Sequence, residues 1–155
     1  MRSEVRRPKN DNEWSVLAEL YGRDTAVAKQ FLWNGEASTS LSLSLLRKHN
    51  TFAIVSNSDL CGGIIITEID YWNRNALVFL EIDSVDSTAI SSIGAALRVF
   101  LFDDNFLHRA YGPVNLQTAQ YARDMGALTE GYLPDVSRRA PSGKYTIIGI
   151  VRNDP

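Results

Sequence analysis

Apolar positions recur along this chain with two periods, and the switches between them order the elements. Residues 4–7 suit a short opening strand, stopped by Pro8 and the polar run Lys9-Asn10-Asp11-Asn12. Asp11 or Asn12 then suits the cap of a helix whose apolar face is Trp14, Leu17, Ala18 and Tyr21, with Gly22 ending it. A second helical stretch covers residues 26–33, and a third follows Gly35 with Leu41, Leu45 and Leu46 at helical spacing. From Thr51 the pattern turns to strand. Phe52-Ala53-Ile54-Val55 is a short apolar run, Ser56-Asn57-Ser58-Asp59 is turn chemistry, and residues 61–69 carry the β-branched Ile64-Ile65-Ile66. After a connection at 71–75, residues 76–82 make a third strand, completing an antiparallel meander of two hairpins.

The helical period then returns. Ser91 or Ser92 is the expected cap of a helix with Ile93, Leu97, Phe100 and Leu101 on its buried side, ending near Asp104 or Asn105. Residues 108–114 read as a strand, 116–125 as a helix closed by Gly126, and 128–136 and 145–151 as two last strands around a loop at 137–143. The order is β, α, α, β, β, β, α, β, α, β, β. Helices interrupt the strands without strict alternation, so the expected class is α+β, a mixed sheet packed by helices in one domain.

Composition narrows the function classes. The chain has 155 residues, of which 45% are hydrophobic and 22% charged, with a net charge of −2. That balance argues against general nucleic-acid binding, which needs a basic surplus or patch. One cysteine, Cys61, cannot form an internal disulfide, and two histidines without ligand spacing make a metal centre hard to assemble. The charged N-terminus does not read as a signal peptide, and no apolar run approaches a membrane span. A cytoplasmic location without membrane contact is expected, and a homodimer is left open.

The strand-to-helix junction Ser91-Ser92-Ile93-Gly94-Ala95-Ala96-Leu97 is the first candidate for chemistry. Small residues at a helix start let a ligand approach the backbone, and free N–H groups there favour phosphate. The bland reading is that Gly94, Ala95 and Ala96 let the helix pack closely on the sheet. Ser91-x-x-Gly94-x-Ala96, then Asn115, Thr118, Gly126-Ala127 and Glu130-Gly131, taken in order with the elements around them, resemble the GNAT superfamily of N-acetyltransferases. Its phosphate loop has the form (Gln/Arg)-x-x-Gly-x-(Gly/Ala).

The resemblance implies a mostly antiparallel central sheet with helices on both faces and an acetyl group passed from acetyl-CoA to an amine, without a metal. It implies a cosubstrate lying between two splayed strands. Ile82 and Asp83 would flank it on one side and Asn115 on the other. The pyrophosphate would meet the backbone of Ser92, Ile93, Gly94, Ala95 and Ala96. Glu81 is the implied general base, since a carboxylate there can bind an ammonium and take its proton. Asp83 shares its strand face by period two. The family's general-acid tyrosine falls on Ala122, with Tyr121 one position away, about 100° around the helix.

These departures, together with Ser91 and Ala127, motivate a second reading. In it the domain has lost catalysis and serves as a structural or binding module, virion-associated if it is of the degenerate phage type. Among weaker signals, Gly62-Gly63 suits a bulge, Cys61 a buried small hydrophobe, and Arg138-Arg139 with Lys144 solvated charge or contact with an acidic group. Trp14, Trp33 and Trp72 read as core or interface aromatics.

Overall fold

The computed structural model describes residues 2–23, 26–28, 39–83, 85–134 and 144–152. Strand β1 (Ser3–Arg6) leads into helix α1 (Asp11–Gly22), and helix α2 (Thr39–Lys48) precedes a meander of β2 (Asn50–Ser56), β3 (Asp59–Asp70) and β4 (Asn75–Ile82). Helix α3 (Ser87–Arg98) runs into a π-helical turn at Val99–Asp104. Then come β5 (Arg109–Val114), α4 (Leu116–Asp124), β6 (Leu128–Pro134) and β7 (Lys144–Val151). The second expected helical stretch lies mostly outside the described residues; Val27 and Ala28 are helical.

All seven strands form one sheet in the order β1-β2-β3-β4-β5-β7-β6. Every neighbouring pair is antiparallel except β4 and β5, which run parallel. Asn57 and Ser58, at φ 50 and 70, close the β2–β3 hairpin. Two left-handed residues in succession give the tight turn whose twist matches its strands. The expected bulge falls at Cys61, where β3 carries one residue more than β2 opposite Ile54 and Val55.

Strict alternation along β4 divides the core in two. Val78, Leu80 and Ile82 face α3 and α4, packing with Ile93, Leu97 and Ala122. Phe79 faces the other way, with Leu17, Tyr21, Val27 and Leu46. Gly63 makes this second layer possible, because a Cβ there would sit 2.8 Å from a Leu17 methyl and 3.0 Å from the Tyr21 ring.

At the sheet edge, β1 pairs with β2 from Ser3↔Ser56 to Arg6↔Ala53. Its Arg6 guanidinium holds both oxygens of Glu13, at 2.8 and 2.9 Å. Among the described residues no helix is long and apolar enough to cross a membrane.

Two helix starts differ from expectation. The side chain of Asn10 caps α1, accepting from Glu13 N, in place of Asp11 or Asn12. Helix α3 begins at Ser87 under an Asp86 cap, so Ser91 and Ser92 lie inside it. Ala89 and Ile90 are buried along with Ile93 and Leu97. The apolar stripe therefore starts one turn before Ile93, and Asp86 is the capping residue at that boundary.

Candidate functional site

β4 and β5 are paired only from Asn75↔Arg109 to Leu77↔Tyr111. They pack tightly at Gly112, where any Cβ would overlap the Val78 carbonyl oxygen. Beyond it β5 stays paired with β7 as far as Val114, while β4 continues to Ile82. Helix α4 starts directly after β5, so its first turns meet the far end of β4.

On the α1 face of that end stands Glu81, 4% exposed. Its Oε1 accepts from Val27 N at 3.1 Å and its Oε2 from Asn115 Nδ2 at 3.1 Å. Burial pushes its carboxyl up to about 8, against the opposing pull of the Val27 N–H, the Arg23 charge and the Asn115 amide. Tyr21, whose hydroxyl donates to Phe79 O at 2.9 Å, is buried nearby, and desolvation raises its phenol further. Asp83 follows on the same face, gripped by both terminal nitrogens of Arg23 at 3.1 and 3.4 Å.

Asn115 has two duties. Its Oδ1 caps α4 by accepting from Thr118 N at 2.8 Å, which leaves its Nδ2 for Glu81. One turn on, Thr118 Oγ1 accepts the Ile82 N–H at 3.2 Å. Tyr121 reaches the loop after β4, where its hydroxyl accepts from Val85 N at 3.3 Å and lies 3.4 Å from Val85 O as donor. Residues three apart on a helix share a face, so Asn115, Thr118 and Tyr121 stitch α4 to β4 and the loop beyond it. Ala122 is wholly buried in the apolar core, and a tyrosine there would be overpacked.

The expected pyrophosphate site needs correction. Ser92, Ile93, Gly94, Ala95 and Ala96 lie in the interior of α3, where N–H groups bond to carbonyls four residues back. Ile93 is core, Ser92 Oγ donates to Ser3 Oγ at 2.7 Å, and Gly94 admits Met125, which would lie 3.1 Å from an added Cβ. Ala95 and Ala96 line an open groove of about 810 Å³ between α3 and β1. The free N–H groups of a helix are those of its first turn, and here Asp86 takes two of them. Its Oδ1 accepts from Thr88 N at 3.1 Å, Ala89 N at 3.2 Å and the Thr88 hydroxyl, bonds that hold its carboxyl below the usual range.

Glu81, Ile82, Asp83, Asn115 and Tyr121 are therefore brought together, and Ser92 to Ala96 stand apart from them. Thr118 holds the Ile82 N–H at the end of β4, Tyr121 that of Val85 in the loop beyond, and the Asp86 carboxylate caps the first turn of α3. Asp86 and Val27 are the residues that sequence reasoning missed, and Thr118, part of the family pattern, was given no role in the site. Asp86-Ser87-Thr88 was legible as a capping sequence; Val27 carried no signal, since only its backbone takes part. Among the described residues no cluster of His, Cys, Asp and Glu could hold a metal ion.

No protein-family model and no curated protein sequence matches the chain. Solved structures do. Spermidine N-acetyltransferase from Vibrio cholerae, in complex with CoA and spermine, is 19% identical over 97% of this chain and 95% of its own, with a TM-score of 0.68. A GNAT-family acetyltransferase from Bacillus anthracis is 13% identical over 97% and 95%, with a TM-score of 0.64. At these identities the likeness is one of fold, and it spans nearly the whole of each chain: this chain has the fold of the GNAT acetyltransferases.

Proposed function

We propose that this domain uses the acetyltransferase architecture as a structural or binding module, its acyl-donor cleft closed by its own side chains. One observation carries the reading. Thr118, Tyr121 and Asp86 take the N–H groups of Ile82, Val85, Thr88 and Ala89, four backbone donors between the end of β4 and the first turn of α3. A diphosphate entering there would also meet the charge of Asp86, and like charges at close range repel.

A second reading is favoured by Glu81. Transfer of an acetyl group from acetyl-CoA to an amine needs a base in this place, and a buried carboxyl raised to about 8 lies near the working range of one. The solved structures that share the fold are acetyltransferases, and one of them holds CoA and spermine. In this reading Thr118, Tyr121 and Asp86 must first let go of the backbone.

Thermal unfolding with and without 1 mM acetyl-CoA separates the two. A ligand present at about 100 times its Kd adds about 2.7 kcal/mol to stability, a shift of several degrees in a domain of this size. The module reading expects no shift and no acetylation across a panel of polyamines and amino-terminal peptides. A saturable shift with amine-dependent release of CoA would establish the enzyme instead.

A further inference from the structure

Three aromatic rings come to the surface together at the end of the sheet away from Glu81. Tyr71 is 82% exposed, Trp72 93% and Phe106 69%. Single exposed apolar side chains are ordinary, but adjoining ones mark an interaction surface. The ring-bearing loops are built firmly. Asp70 accepts from Trp72 N at 3.0 Å, Asn73 N at 3.1 Å and Asn73 Nδ2 at 2.8 Å, fixing the β3–β4 turn. Arg74 O accepts from His108 N at 2.7 Å, which ties that turn to the segment carrying Phe106. Beside the rings lies a cavity of about 340 Å³, lined by Ile66, Ile69, Tyr71, Arg74, Phe106 and Leu107.

We infer that two copies of this chain associate through this end about a two-fold axis, the Trp72 indole of each entering the cavity of the other. A two-fold interface uses the same patch on both partners, so the patch must hold a projection and a matching hollow; this one holds both. Aromatic side chains bury about 150–250 Å² each, so these three bring roughly 500 Å² per copy. The pair then covers roughly 1,000 Å², the lower bound for a specific interface.

The hollow also has the chemistry an indole needs. The Arg74 guanidinium at its wall suits the ring face. Asn105, also at the wall, donates its Nδ2 to Phe100 O at 2.7 Å, which leaves its Oδ1 as the acceptor for an indole N–H. An interface of this size, anchored by one ring per side, belongs in the micromolar range. The inference holds whether or not the domain binds acetyl-CoA.

Sedimentation velocity from about 1 to 200 μM, a span bracketing micromolar affinity, tests it on the full chain. Two variants accompany the parent. Trp72→Ala removes a ring that is 93% exposed. Phe106→Asn places at φ 56 a residue that tolerates the left-handed region. The parent should pass from monomer to dimer within the range, and each variant should weaken association at least tenfold with an unchanged melting temperature. A parent that stays monomeric to 200 μM, as it would if a different protein were the natural occupant, overturns the inference. So do variants that dimerise as the parent does.

Discussion

Glu81→Gln should change how stability depends on pH, and by an amount the structure sets. In the folded chain the carboxyl holds its proton up to about 8, while in the unfolded chain it loses it near 4.5. Between those values the native state binds one proton more than the unfolded state, so stability falls as pH rises. Each pH unit inside the window is worth up to about 1.4 kcal/mol. From pH 5 to pH 8 the parent should lose roughly 3–4 kcal/mol that the uncharged variant keeps.

Glutamine is not free of cost. Its carbonyl can still accept from Val27 N, but its amide would face Asn115 Nδ2, whose oxygen is held by Thr118 N. That loss is about 1–3 kcal/mol and does not vary with pH. The variant should therefore be the less stable protein at pH 5 and the more stable one at pH 8. Urea unfolding at pH 5, 6, 7 and 8 measures both, and groups common to the two proteins cancel in the difference. Parallel stability profiles would refute the reasoning, since they would mean that Glu81 is charged in the folded chain throughout.

Two further substitutions examine the splay itself. Gly112→Ala drives a methyl into the Val78 carbonyl, so β4 and β5 must separate where they converge; we expect a loss of about 3 kcal/mol or more in denaturant unfolding. Thr118→Val keeps the shape and removes the acceptor of the buried Ile82 N–H. It should cost about 1–3 kcal/mol, with faster amide exchange at Ile82; unchanged exchange there would deny that the hydroxyl closes the strand.

The element order was legible because period two and period 3.6 alternate cleanly, and because the turn residues at 56–59 and 70–75 separate the strands. The start of α3 was misplaced for a definite reason. Serines at 91 and 92 are good caps in isolation, but buried Ala89 and Ile90 lengthen the apolar stripe and hand the cap to Asp86. That displacement of one turn moved the expected anion site into a helix interior. Glu81, Asn115 and Tyr121, the candidates of the sequence, all lie toward the far end of β4. Their bonds to Val27 N, Thr118 N and Val85 pass through backbone groups, and a sequence does not reveal where backbone will lie.

The four-residue strand β1 has a consequence for handling the protein. It is an edge strand of the sheet, and it carries the charged Glu4 and Arg6. Were it stripped away by proteolysis or truncation, the ladder groups of β2 would lie open along Phe52-Ala53-Ile54-Val55. That stretch is apolar, uncharged and free of proline, the composition from which strand-to-strand aggregates nucleate. The first six residues thus act as a gatekeeper, and preparations trimmed within them should precipitate while the intact chain remains in solution.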